Sequence, residues 1–387
     1  MKWKNKGHEF DRFKEIFTWH KPIYIYGGGV FGEDLYKRIS FVDCVEGFID
    51  NNRSGQIGGK KVISSMEFLE LDKKDCIVII AAGIQNTTLF KSQLLVNGYE
   101  EGKNLFLYTD WLNFYAPIYF MYAWNKLYLR IISFLCTTQC NLNCQGCLNF
   151  TSYNHHKKHY ELERLKKDAD LLFNIVDYID LFHVCGGEPF LYPHLAELLR
   201  YISQNYGHKI YNLATTTNGT IAPDDGLCKV IAEYNINLFL DDYRKNVPRA
   251  KEKYTLVREK CEHHKISIID NNVDSWINLL KEQGISEKSS EKDLKIKFCA
   301  CNIWYKSLHN KKLYLCNFGD YAVEAGLVEE SDNDFFSLVD FSDGKRMELL
   351  EFMMGYSDRG YCELCKKCNG FVTINTNSYE VAKQEWK

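Results

Sequence analysis

At 387 residues the chain is long enough for two or three domains, each with an ordinary apolar core. A formal net charge of −3 gives no electrostatic case for nucleic acid or an anionic membrane. No apolar run reaches the length of a membrane span; the best, CIVIIAAGI at 76–84, is strand-sized, and the opening MKWKNKGHEF lacks the apolar stretch of a secretory signal, so a cytoplasmic location is expected.

Residues 20–110 read as a self-contained α/β domain. The strand PIYIY runs into GGGVFGEDLYKRI, followed by VEGFID, the turn-rich NNRSGQIGG, the strand CIVIIAAG, a helix-like KSQLLVNG and the strand NLFLYT. Strands alternating with helices imply a parallel sheet. Gly27-x-Gly29-x-x-Gly32 follows a strand and opens a helix, and Asp50 ends the next strand. Such glycines permit a tight turn and close approach of a pyrophosphate to the helix N-terminus, with the acid available to a ribose hydroxyl. The alternative is a Rossmann-like domain that binds nothing and serves assembly. The order YGGGVFG, GFIDN, IGGKKV, IVIIAAG resembles the N-terminal domain of sugar-nucleotide acetyltransferases. That resemblance implies a grip on the nucleotide of a sugar substrate, or on another diphosphate, rather than on NAD.

Residues 111–130, WLNFYAPIYFMYAWNKLYLR, are dense in aromatics and read as a packed connector between domains; they lack the basic face of a membrane-surface helix. From 131 to 297 a second alternation runs. ISFLC is a strand, and ELERLKKDADLLFNIVDYI places Leu162, Leu165, Ala169, Leu172, Phe173, Val176 and Ile179 on one helical face. DLFHVC, KIYNLATTTNG, INLFLDD and KISIID follow as strands with helices between them. About six such units argue for a partial (β/α)6 barrel with its site at the carboxyl ends of the strands. A charged stretch, EQGISEKSSEKDLK, reads as a linker to the last part, 298–387.

Fifteen cysteines are many, and clustered cysteines in a reducing compartment bind metal more often than they form disulfides. Six (Cys44, Cys76, Cys136, Cys185, Cys228, Cys261) are scattered and read as small buried hydrophobes. Three, Cys140, Cys144 and Cys147, stand together after the first strand of the second alternation, and the next strand ends in Gly186-Gly187-Glu188-Pro189. Three thiolates bind three irons of a cubane and leave the fourth open, as catalytic metals leave a position open; a zinc site borrowing a distant fourth ligand is the alternative. The glycines admit a ligand to backbone groups, and Glu188 offers a carboxylate to an ammonium group.

Cys140-x3-Cys144-x2-Cys147 followed by GGEP resembles the radical S-adenosylmethionine (radical SAM) superfamily over roughly 131–300. The resemblance implies a [4Fe–4S] cluster whose open iron takes the amino and carboxylate groups of SAM. It also implies reductive formation of a 5′-deoxyadenosyl radical that abstracts hydrogen from substrate, and a reductant such as flavodoxin or ferredoxin. It assigns the methionine ammonium to the GGEP backbone. Thr217 and Asn218, within Thr215–Gly219, and the pair Asp241-Asp242 correspond to positions lining ribose and substrate. One departure stands out: the residue before the third cysteine is usually aromatic and packs near the adenine, but here it is Gly146.

The last part holds Cys299, Cys301, Cys316, Cys362, Cys365 and Cys368. They resemble the shortened auxiliary-cluster (twitch) module of radical SAM enzymes, the longer SPASM form having more cysteines. The resemblance implies one auxiliary [4Fe–4S] cluster on Cys301, Cys316, Cys362 and Cys365, with Cys299 and Cys368 as alternates. The family hairpin usually carries Gly five residues before its second cysteine, where this chain has Lys311. A zinc site with four cysteines is the alternative. Of the lesser features, the run His155–His159 reads as a solvated loop and His183 as a core residue, while Tyr243 and Arg244 sit where they would face substrate. Together these features point to a radical SAM oxidoreductase acting on a nucleotide-linked or phosphorylated sugar in surface-glycan biosynthesis. The alternatives are a maturase of a peptide or partner protein and a non-catalytic iron–sulfur scaffold.

Overall fold

Short runs rich in Ile, Val and aromatic residues favour strands over helices, and in the first of two structural units, His8–Arg130, they pair into one sheet. The computed structural model describes residues 1–17, 20–71, 75–281, 289–301, 304–339 and 341–385. The strands are β1 (Ile23–Tyr26), β2 (Val45–Ile49), β3 (Gln56–Ile57), β4 (Lys60–Ile63), β5 (Ile77–Ile80) and β6 (Leu105–Leu107), in the order β3-β4-β2-β1-β5-β6. All pairings are parallel except the β3–β4 hairpin. The chain winds outward from β1 to β4 and then crosses to β5, so the sheet reverses direction beside β1, where Gly27 follows.

The aromatic stretch expected as a connector belongs to this unit. Phe17 meets Phe106, Trp111 and Tyr119 with centroids 6.0, 6.1 and 5.6 Å apart, and Trp111 is fully buried. The helix Ala116–Trp124 is buried nearly all round, which is why it shows little amphipathic pattern.

The second unit comprises Met1–Gly7 and Ile131–Lys387. Its strands are β7 (Tyr128–Thr137), β8 (Tyr178–Gly186), β9 (Ile210–Thr217), β10 (Asn237–Asp241), β11 (Ile268–Asn271), β12 (Ser275–Ile277), β13 (Tyr305–His309), β14 (Lys312–Tyr314), β15 (Phe335–Ser337) and β16 (Ser378–Glu380). The main sheet has the order β11-β10-β9-β8-β7-β13-β14-β15, and β12 pairs with β16 alone. Five strands thus follow one another from β7 to β11. The sixth parallel strand is β13, which joins the other edge of β7 instead of extending beyond β11. The last part of the chain is therefore continuous with the barrel-type sheet.

The helix Leu162–Ile175 buries Leu165, Ala169, Leu172 and Phe173, as its spacing predicts. It stops before Val176, whose backbone is extended, so Ile179 belongs to β8. Phe182 packs on Phe134 and Phe173, which turns His183 and Cys185 to the opposite face of the sheet. The charged linker is in part a helix, Glu291–Cys301, whose start is capped by reciprocal bonds between Ser290 and Asp293; residues 282–288 of it lie outside the described residues.

At the β13–β14 turn, Asn310 and Lys311 both have left-handed backbones, φ +49° and +61°. Two such residues make the hairpin turn that matches strand twist, a conformation unfavourable for lysine. The fully buried carboxylate of Asp168 accepts both turn N–H groups at 3.0 Å and holds them there. Asp168→Ala should lower the urea-unfolding free energy by about 2 kcal/mol. Lys311→Gly in that background should recover part of the loss, because glycine holds the turn without the clamp.

Candidate functional site

The chain beyond β7 and the chain beyond β8 close on each other. Gly187 N–H donates to Thr137 O at 2.9 Å and Glu188 N–H to Gln139 O at 2.8 Å. A Cβ at 186 would lie 2.9 Å from Thr137 O, and one at 187 only 2.3 Å from Gln139 O. Backbone atoms cannot step aside at those distances, so both positions require glycine. The pair seats β8 against the residues leading into Cys140.

Glu188 then ties in the third strand. Its buried carboxylate accepts Phe190 N–H (3.0 Å), the Thr217 hydroxyl (3.0 Å) and Asn218 N–H (2.8 Å). Burial pushes the carboxyl up to about 7, against those donors. Glu188 was expected to present a carboxylate to an incoming ammonium; both of its oxygens are instead engaged by the chain's own donors. Thr217 and Asn218 reach the site as its partners. Asn218 Nδ2 donates to Asn141 Oδ1 (3.1 Å) and lies 3.9 Å from Cys140 Sγ, while Asn141 Nδ2 donates to the Thr220 hydroxyl (2.8 Å).

The run at 155–159 has solvated side chains at His155, His156, Lys158 and His159, but its backbone is engaged. Lys158 O accepts Thr138 N–H at 2.9 Å, and Lys157 O accepts Gln139 Nε2 at 2.9 Å. It forms a collar at the root of the cysteine loop.

Within the loop, Leu142 N–H points at Cys140 Sγ (3.4 Å) and Gln384 Nε2 at Cys144 Sγ (3.1 Å). Burial raises the Cys140 thiol well above its ordinary value and Cys144 to about 12. Both are thiols in the metal-free chain, and a bound metal is what makes the thiolate the stable form. Donors already aimed at two sulfurs suit that thiolate form, so the residues present fit a cluster. Cys147 packs beside Leu142 and Tyr243 against a small apolar group around Cys144, Val247 and Ala250. Among the described residues, no three His, Cys, Asp or Glu side chains converge to hold a single metal ion. A cavity of about 900 Å³ opens beside the loop, lined by Cys140, Asn141, Asn154, Lys157 and Arg249 among others.

At the end of β10, Asp241 accepts the Tyr243 hydroxyl (2.7 Å) and Asn271 Nδ2 (2.6 Å), and burial raises its carboxyl to about 6. Tyr243 faces the cysteine loop, whereas Arg244 is exposed and paired with Asp242 at 2.7 Å. His183 is only half-buried and bonds Thr216 Oγ1 at 2.7 Å; desolvation lowers its pKa to about 4, so the ring is neutral.

Cys301, Cys316, Cys362, Cys365 and Cys368 line one small pocket with Phe298, Phe318 and Phe371. Cys362 and Cys365 have their sulfurs 3.5 Å apart, and Cys299 is exposed outside the group. Behind it lies Lys306, which is buried, donates to Leu315 O at 2.7 Å and has its pKa lowered to about 8 by desolvation.

In the first unit, packing accounts for two of the three motif glycines. A Cβ at Gly27 (φ +117°) would lie 2.4 Å from Ala81 O, and one at Gly32 1.8 Å from Gly27 O. Gly29 has open space and begins the helix Val30–Ile39. Asp50 was expected to meet a ribose; its carboxylate accepts the N–H groups of Gly28 (2.7 Å), Asn52 (2.8 Å) and Arg53 (3.1 Å).

Sequence reasoning missed Asn141, Lys306 and the segment 378–385 that carries Gln384. Polar residues in irregular chain give no periodic signal, and only the fold brings Gln384 to Cys144.

The family model of the Radical SAM superfamily matches residues 134–286. GTP 3′,8-cyclase 1 of Mycobacterium tuberculosis is 26% identical over 134 residues, 33% of this chain and 35% of that protein. The chain thus spans about a third of the length of the curated relatives it matches. Among solved structures, BtrN in complex with AdoMet and 2-DOIA superposes with a TM-score of 0.40 and 15% identity, covering 66% of this chain and 98% of that one. Native anSMEcpe with bound AdoMet and Kp18Cys peptide gives 0.40 and 15%, covering 62% and 84%.

Glu188 makes the site's contribution to stability pH-dependent. Folded, it keeps its proton to about pH 7; unfolded, only to about 4.5. The folded chain therefore binds the extra proton between those values, and stability falls as pH rises through that window, by about 3 kcal/mol in all. Urea unfolding of the metal-free protein at pH 5 and pH 8 should show Glu188→Gln gaining on wild type as pH rises. Parallel profiles would mean that Glu188 is ionised throughout.

Proposed function

We propose that this chain, whose residues 134–286 match the family model of the Radical SAM superfamily, is a radical SAM enzyme that holds a [4Fe–4S] cluster on Cys140, Cys144 and Cys147 and acts on a nucleotide-linked or phosphorylated sugar in surface-glycan biosynthesis. The observation that carries the reading is the three-cysteine loop seated by Gly186 and Gly187, with N–H donors already directed at two of its sulfurs. When bound, the cluster and SAM supply one-electron cleavage of the sulfonium and abstraction of hydrogen from a substrate carbon.

The chain's own residues bind and orient. Gly186 and Gly187 fix the loop; Glu188 locks Thr217 and Asn218 beside Cys140; Tyr243, Val247 and Ala250 keep water from Cys144. Lys157 and Arg249 give the adjoining cavity cationic groups suited to a phosphate-bearing ligand. The similarity to a GTP cyclase supports a phosphate-bearing ligand. In the first unit the open Gly29 at a helix start supports a diphosphate grip there, without a part for Asp50.

A twitch-type auxiliary [4Fe–4S] cluster is proposed on Cys301, Cys316, Cys362 and Cys365. Cys368 lines the same pocket and is the alternate, and the exposed Cys299 is left out. Flavodoxin or ferredoxin would serve as reductant. Among the described residues, no helix is long and apolar enough to cross a membrane.

Anaerobic reconstitution tests the reading. The reduced wild type should convert SAM to 5′-deoxyadenosine, and Cys144→Ala should abolish this with a loss of about four irons per chain. A variant that still cleaves SAM would refute the cluster assignment. Cys362→Ala should lower iron content in the same way while Cys299→Ala leaves it unchanged. Calorimetry should detect nucleotide sugars; tight binding of NAD alone would overturn the substrate class.

A further inference from the structure

The segment 378–385 is docked along the cysteine loop as a second wall. Gln145 N–H donates to Lys383 O (2.7 Å) and Glu385 N–H to Asn143 O (2.8 Å), while Asn143 Nδ2 donates to Glu385 O (2.7 Å). Upstream the segment is anchored independently: β16 pairs with β12, and Val381 O accepts Asn246 Nδ2 at 2.7 Å. Val381 and Ala382 are buried in the apolar group around Cys144.

Two side chains of the segment meet the loop at its chemically important positions. The ring of Tyr379 fills the space where residue 146 would carry a side chain; a Cβ there would lie 2.1 Å from it. Gly146 also has a left-handed backbone, φ +66°, so both space and conformation call for glycine. The absence of an aromatic residue before Cys147 thus coincides with an aromatic ring delivered from elsewhere in the chain.

Gln384 is fixed at both ends of its amide. Its Oε1 accepts Asn143 N–H at 2.9 Å, and this sets Nε2 toward Ala382 O (2.7 Å) and Cys144 Sγ (3.1 Å). A hydrogen bond to a ligand sulfur withdraws charge from the cluster and favours its reduced state, and covering the sulfur removes solvent. We propose that Gln384 is a positioning residue for the cluster: it donates to the Cys144 thiolate and raises the reduction potential, on a segment that Tyr379 and Gly146 lock in place. The inference rests on the assignment of the cluster to Cys140, Cys144 and Cys147.

Gln384→Met tests the donation, because it keeps the length and neutrality of the side chain while leaving no amide hydrogen for the sulfur. In anaerobically loaded protein, a redox titration followed by electron paramagnetic resonance should show the cluster moved to more negative potential. Loss of the cluster from this variant alone, with circular dichroism unchanged, counts the same way. Equal iron and an unshifted potential would overturn the proposal. The docking is tested without metal by hydrogen exchange: Gly146→Ala, whose Cβ would meet the Tyr379 ring, should strip protection from 378–385. A segment as unprotected in wild type as in Gly146→Ala would also overturn it. Wild type without iron, or iron unchanged by Cys144→Ala, refutes the underlying cluster assignment instead and is distinguishable from either result.

Discussion

Two backbone contacts, Gly187 to Thr137 O and Glu188 to Gln139 O, bring the ends of β7 and β8 within hydrogen-bond distance just before Cys140. They form only because neither 186 nor 187 has a Cβ. Everything else at the strand ends is placed by that closure. It carries Glu188 under the loop, where the carboxylate gathers Thr217 and Asn218 from β9; Asn218 then reaches Asn141, beside the first cysteine. A side chain at either glycine would separate the strands and undo the chain of contacts in order, so their effect extends well beyond local flexibility.

An acid at a strand end can serve the turn that follows it. Glu188 and Asp50 each end a strand next to glycines, and each invites the reading of a free acceptor. In both cases neighbouring backbone N–H groups donate to the carboxylate oxygens. A carboxylate at a strand end is the cheapest way to satisfy the N–H groups of the turn that follows. What remains for a ligand is the open space the ordered turn leaves, such as that beside Gly29 or along Lys157 and Arg249.

Much of this was legible from residue types with few alternative uses. Three closely spaced cysteines, a strand-terminal glycine pair and the apolar period of Leu165, Ala169 and Leu172 each carry one dominant physical meaning. The misreadings have a common origin in contacts distant along the chain. The parallel insertion of β13 beside β7, the burial of Trp111 against Phe17 and the carboxylate of Asp168 beneath the Asn310–Lys311 turn all depend on partners that no local pattern announces. Lys311 shows it most directly: a lysine where glycine suits the backbone looked like a departure, yet Asp168 holds the turn that glycine would adopt freely.

The two cysteine groups meet the cost of buried sulfur charge by different means. Around Cys140 and Cys144 the compensation is made of dipoles, the N–H groups of Leu142 and Gln384, which stabilise a thiolate without adding net charge. Around Cys301, Cys316 and Cys362 it is a whole cation, Lys306, buried against the same pocket. Burial alone lowers the affinity of that lysine for its proton, and the nearby sulfurs raise it when they are anionic. The charge of Lys306 and the ionisation of those sulfurs therefore favour each other, and any metal that fixes the thiolates there also fixes the cation. A thiolate would thus be met by dipoles alone in the first group and by a full positive charge in the second.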